Sequence, residues 1–303
     1  MNAVKRGYKN KRNVPAALCD YQVFMFVSAK SKKVSHDALM QVRISFESEL
    51  QVMGYGHTRL SVTDFVTLMR VITSPIQNEI EWPKIHVDAS QKLSASLVKP
   101  KTEVLIQDAH IDFKVLNDEG EPQHTRIVNL AIDKWPEQFV LWSQPDLYAN
   151  VFNPDKGIQC PFLISFTVRG SQLETIRSEA KSKSESLAKG NNAVQRMLNP
   201  RLLDEIRDWS HGYQEISKGN MSLHDTFYNI VLFTNEEDSV RHVAQVIAAY
   251  REFGFELSQQ PKLSFSRYLA SLPFFLSEGY FEDLKLLNQT KRLNHFACAN
   301  QLP

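Results

Sequence analysis

The chain has 303 residues, room for two modest domains or one large one, and its 43% hydrophobic and 23% charged content is that of a globular protein. A formal net charge of +1 supplies no global field to draw nucleic acid or an anionic membrane. No apolar run approaches the roughly 20 residues that cross a bilayer and the charged start lacks a signal-peptide core, so a cytoplasmic location is expected.

The opening residues are basic. Lys5, Arg6, Lys9, Lys11 and Arg12 crowd the first twelve positions and read as a flexible, solvated tail over 1–16. Tyr21–Ser28, an apolar run rich in aromatics, reads as a buried strand. Ser35 can cap a helix whose Leu39, Val42, Phe46, Leu50 and Met53 recur at helical spacing, with Gly54 to close it. "HTRLSV" at 57–62 reads as a second strand. A short helix from about Thr63 to Thr73 follows, carrying Phe65, Leu68, Met69 and Ile72, and Pro75 ends it. These elements compose a βαβα unit.

Residues 76–101 have weak periodicity and read as a connection with a short helix around Ala89–Leu97. A hairpin then spans about 109–132. Ile111, Phe113 and Val115 alternate with His110, Asp112 and Lys114, "NDEGEP" reverses the chain, and "TRIVNLAI" returns. Beyond it, a short helix is expected near Pro145–Val151 and a strand at 160–170, "CPFLISFTVRG".

From Leu173 to Ser217 the composition is helical, weakened at Gly190, Asn191 and Asn192. Pro200 can start a second helix there, with one apolar stripe of Leu202, Ile206, Trp209, Tyr213 and Ile216. "DTFYNIVLFT", 225–234, is a strand. The next helix, over 235–254, places Val240, Val243, Ile247 and Tyr250 on one face and ends on Gly254. "FELSQ" is one more short strand. The predicted class is α+β, with mixed or mainly antiparallel sheets, packed helices and two βαβ-like layers. The domain division expected is the tail 1–16, a first α/β region 17–158 and a second 159–303.

Signatures of catalysis are absent. No GxxxxGK[ST] phosphate loop occurs; "KGNNAVQ" and "KGNMSLH" fail on spacing and on the final Lys-Ser/Thr pair. GxGxxG, GxSxG, HExxH and CxxC are also missing. "DAHID" places Asp108, His110 and Asp112 on one side of a strand, where three such groups could hold a divalent metal. The plainer reading is the solvent side of a hairpin. Cys160 before Pro161 reads as a strand-entry core residue and His242 as an ordinary surface residue. The three cysteines, Cys19, Cys160 and Cys298, are too scattered for a disulfide framework. No catalytic, cofactor-binding or metal residue is assigned.

Three stretches together carry a resemblance. In 139–168 it rests on Leu141-Trp142, Tyr148, Asn150, Asn153-Pro154 and Cys160-Pro161-Phe162. In 253–274 it rests on Gly254-Phe255-Glu256-Leu257 and Leu272-Pro273-Phe274. At the end it rests on Arg292, Phe296, Ala299-Asn300 and Leu302-Pro303. In order and separation, from about residue 17 onward, these resemble the TraC family, the large ATPases of F-like conjugative type IV secretion systems.

The resemblance implies that the terminal "ANxxP" segment leads into a RecA-like motor carrying the P-loop, so ATP and magnesium belong to a motor domain missing from this chain. It also implies a non-catalytic module that docks the motor onto inner-membrane subunits of the secretion system and onto neighbouring copies in a ring of six. Residues 263–303 would be the coupling element, and the location would be cytoplasmic, peripheral at the inner membrane through partners. No direct nucleic-acid contact is expected. The alternative is a freestanding interaction protein of a mobile element, without a motor.

Overall fold

The computed structural model describes residues 8–9, 15–16, 22–28, 35–76, 87, 90, 92–117, 119–136, 147–148, 156–170, 173–192, 197–200 and 202–294. Of the expected elements, the helix near Pro145–Val151 falls mostly outside these residues. So do the terminal positions Phe296 to Pro303.

Within the basic start, β1 (Tyr8–Lys9) and β2 (Pro15–Ala16) pair antiparallel. Helix α1 (His36–Val52) begins where Ser35 accepts a hydrogen bond from the Ala38 N–H at 3.2 Å. Helix α2 (Val62–Thr73) opens on a capping box. The Ser61 hydroxyl oxygen accepts from the Asp64 N–H at 3.1 Å, and the Asp64 carboxylate accepts from the Ser61 N–H at 3.0 Å. This box overturns the strand expected at 57–62: the apolar residues there lead into a helix cap, and Arg59 leaves the line of the chain to form a two-pronged pair with Glu47 of α1, 2.8 Å on each prong. Residues 22–28 likewise carry no ladder pairing. Phe24 and Phe26 pack against the core, while Val23, Met25 and Val27 stay exposed.

After the short α3 (Leu93–Ser96) comes a meander of β3 (Glu103–Ile106), β4 (Ile111–Leu116) and β5 (Pro122–Lys134). Then follow β6 (Phe162–Gly170), α4 (Leu173–Lys189), α5 (Leu202–Lys218), β7 (Leu223–Thr234), α6 (Ser239–Glu252) and β8 (Glu256–Gln259). The described chain closes with α7 (Ser264–Ala270), a 3-10 turn at Phe275–Glu278, α8 (Tyr280–Leu286) and β9 (Lys291–Asn294).

The fold is α+β. The seven-stranded sheet runs β3-β4-β5-β7-β6, with β8 on β5 and β9 on β7. The β3–β4, β4–β5, β5–β7, β5–β8 and β7–β9 pairs are antiparallel. Because β7 and β8 each run antiparallel to β5, they run the same way as each other. Helix α6 is the crossover between them, with β5 inserted in the middle. The expected hairpin is present with its expected alternation: Ile111, Phe113 and Val115 are buried, and the register sets them opposite Ile127, Thr125 and Gln123. Strands β3 and β9 go beyond the elements that the sequence predicts.

The chain divides into two compact units. The first comprises Met1–Gln138, Trp142–Ser165 and Tyr228–Leu287. Its core gathers Leu68 and Ile72 of α2, the inward residues of β4, Ile127, Val231, Phe233 and Tyr268. The second comprises Phe139–Leu141, Phe166–Phe227 and Asn288–Pro303. There α4 and α5 close on Ile176, Ala180 and Ile216, flanked by Trp209, Tyr213, Met221 and Leu223. The apolar stripe read in α5 is therefore core.

Candidate functional site

Helix α1 is the first feature that departs from ordinary packing. A 17-residue helix normally buries its apolar stripe, yet no residue of α1 is buried. Its best-covered side is Met40, Arg43, Glu47 and Leu50, each half-buried. Apart from Leu50, the stripe faces out: Leu39 is 41% exposed, Val42 46%, Phe46 37%, and Met53 just beyond the helix 65%. The Arg59 guanidinium holds the Glu47 carboxyl below its usual range, so a fixed ion pair borders the stripe. In the same unit Phe274 is exposed and adopts φ +65, a left-handed conformation that bulky residues rarely take. Its ring stands 5.1 Å from Phe26 and 6.1 Å from Phe65. Chemically these surfaces offer apolar area and aromatic edges, which suits contact with another polypeptide.

The second unit holds a cleft of about 220 Å³ with an apolar floor of Ile176, Ala180, Trp209 and Leu223. Lys183, Glu179 and Arg292 form its charged rim. Arg292 reaches it from β9. Its Nε donates to Asp225 at 2.9 Å and its Nη1 to Glu179. The two carboxylates keep the guanidinium firmly protonated, Asp225 contributing most. Arg292, singled out in the sequence only through the family resemblance, is thus the clasp that fastens the last described strand to β7 and α4. Its signal was long-range and invisible to local spacing.

Of the residues with chemistry to offer, Asp112 is already engaged. Its carboxylate is gripped by Arg126 at 2.7 and 3.1 Å, and His110 lies 3.4 Å from it. A cation therefore already stands where a metal would have needed that carboxylate. Among the described residues no group of His, Cys, Asp and Glu is arranged to hold a metal ion. Cys160 is buried and lies at the entry to β6. His242 is a correction: it is buried, 5% exposed, with Nδ1 2.7 Å from the Thr234 hydroxyl. Helix α6 is turned by about one residue from the expected face. It buries Ser239, His242, Val246, Ala249 and Tyr250, and leaves Val240 in solvent. A buried histidine hydrogen-bonded to a strand threonine carries no periodic signature.

Among the described residues no helix is long and apolar enough to cross a membrane. Comparison with known proteins relates the chain to one family and one of its curated members. The family model described as TraC protein matches residues 1–276. Protein TraC of Escherichia coli (strain K12) is 25% identical over 320 residues, an alignment that takes in 100% of this chain and 36% of the relative. The chain thus spans about a third of the length of the curated relative that it matches.

Proposed function

The chain belongs to the TraC family, a family of conjugative type IV secretion, and on that premise we propose that it is the non-catalytic docking module of a longer secretion ATPase. In this reading ATP and magnesium are handled by a motor domain elsewhere in the polypeptide. These residues seat that motor on inner-membrane subunits and on neighbouring copies, on the cytoplasmic side. The observation that carries the proposal is the alignment of the whole chain within 36% of a much longer relative. The uncovered stripe of α1 supports it, because a surface helix of this length with no buried residue has apolar area to offer a partner.

The test has two parts. The purified chain is expected to hydrolyse no ATP, and its overproduction in donor cells is expected to depress conjugative transfer by occupying docking sites needed by the full-length protein. Turnover that scales with the amount of purified chain, or undiminished transfer at high expression, overturns the module reading. An antibody blot of the native host separates it from the freestanding alternative: a band far above 34.8 kDa supports the module, and a band at that mass supports the alternative.

A further inference from the structure

Strand β3 ends the sheet, and among the described residues no strand lies beyond it. Its hydrogen-bonding direction follows from the turn that joins it to β4. The Gln107 N–H donates to His110 O at 3.0 Å. Since main-chain groups alternate along an antiparallel ladder, Leu105 and Glu103 also face β4, whereas Val104 and Ile106 turn their N–H and C=O groups to the open edge. Their side chains share the face of Phe113 and Ile111, which are fully buried in the core. Yet Val104 is 45% exposed and Ile106 52%. On the opposite face Leu105 is exposed too. An edge with open backbone groups and apolar side chains on both faces is the kind that proteins ordinarily blunt with charge or proline.

We propose that β3 pairs with β3 of a second copy, antiparallel across a two-fold axis at Leu105, to join two sheets into one. The register is selected by this chain's own residues. Directly opposed residues share a face, so the axis must pass beside a single residue and its own copy. An axis at Glu103 would oppose two carboxylates. An axis at Val104 would need the Thr102 N–H, which already donates to Lys99 O, and Lys101 at φ +63 has left the strand there. An axis at Ile106 runs into the turn at 107–110.

At Leu105 the ladder is complete. Val104 exchanges two hydrogen bonds with Ile106 of the second copy, Ile106 does the same with Val104, and their side chains extend the core face. Leu105 meets its own copy on the outer face, and Glu103 meets the neutral Gln107. So small a ladder buries less than the roughly 1,200 Å² of a stable interface, so the association is weak and concentration-dependent. This two-fold contact pairs two copies of the module proposed above, is separate from the head-to-tail contact that a ring requires, and does not depend on a motor. If the ladder fails, the docking reading still stands on the family alignment.

The experiment uses the full chain with Cys19→Ser and Cys298→Ser, leaving buried Cys160. Leu105→Cys places two thiols across a non-hydrogen-bonded pair, where Cα atoms lie about 4.5 Å apart, within disulfide range. Glu103→Cys places its thiol about 13 Å from its own copy, four residues along the strand. Under mild oxidation Leu105→Cys is expected to give a covalent dimer and Glu103→Cys to stay monomeric. Adding Val104→Pro removes one outward N–H without touching the bonds to β4, and is expected to abolish the Leu105→Cys dimer. Equal cross-linking at 103 and 105, no cross-linking at 105, or a dimer that survives Val104→Pro overturns the proposal. Sedimentation of the unsubstituted chain against Val104→Pro tests the same ladder without cysteines: association lost in the variant supports it, and identical behaviour overturns it.

Discussion

Arg267 brings a guanidinium into the middle of the first unit with 1% of its surface exposed. Burial pulls its pKa down to about 10, which still leaves it charged at neutral pH. It is held by donating to Asn229 Oδ1 at 3.0 Å and to Tyr228 O at 2.6 Å, and Asn229 in turn donates to Asn129 and Ser271. A short helix, α7, is thereby pinned to two strands through polar groups rather than grease. Arg267→Ala strips donors from buried neutral acceptors and is expected to cost about 1–3 kcal/mol for each acceptor left unpaired, read as a fall in the urea midpoint.

His242 gives a second expectation. Arg241 can only donate, so His242 Nε2, at 3.3 Å, accepts, and Nδ1–H donates to Thr234. Burial, then the Arg241 charge, push its pKa below the usual value, against a smaller opposing pull from Asp238. The neutral form is therefore the one that folding favours. Its contribution is present above the unfolded pKa of about 6.5 and is lost as pH falls through the lower folded value. Thermal midpoints should drop between neutral and mildly acidic pH, and His242→Asn should flatten that part of the profile.

At the scale of elements, what is readable in the sequence is what local chemistry decides. The β4–β5 hairpin, the α5 stripe and the Ser35 cap follow from alternation, periodicity and a capping side chain, and each stands where it is expected. The misses are tertiary. Strand β9, "KRLN", has no alternation of its own and exists because Asp225 and Glu179 draw Arg292 onto β7. Strand β3 is four residues long, too short to announce itself. The stretch at 57–62 is apolar enough for a strand, but the Ser61-to-Asp64 spacing is a capping box in plain view.

Helix α1 has the right period but lacks the burial that period usually signals. Its stripe should therefore be dispensable for stability. Val42→Ser with Phe46→Ser is expected to leave the thermal midpoint nearly unchanged, as for surface substitutions of about ±0.5 kcal/mol, while lowering transfer when introduced into the full-length gene. A large loss of stability would instead place the stripe inside the fold.

For the whole molecule, both units close contacts that are distant in sequence, but the first also holds a hairpin that is local in sequence. The first assembles around a sheet whose neighbours β4 and β5 are near in sequence, which suits early folding from local contacts. The second must bring Glu179, Asp225 and Arg292 together from positions 67 and 113 residues apart. A contact of that span offsets its loop-closure cost only when the intervening chain is ordered, so it is expected to form late and open first. Asp225 is nearly covered and Arg292 about a third exposed, so the pair lies between a surface bridge and a buried one, worth about 1–3 kcal/mol. Arg292→Met keeps an apolar stem over the cleft floor and removes the charge together with the donors to Asp225 and Glu179. Hydrogen exchange should then quicken at β9 and at Leu223–Thr226 of β7, with β4 and β5 unchanged. Equal acceleration in β4 and β5 would mean that the clasp supports global rather than local stability. In the full-length protein the same variant should weaken the path from this module to whatever follows β9, and its transfer defect should exceed what the modest loss of stability explains.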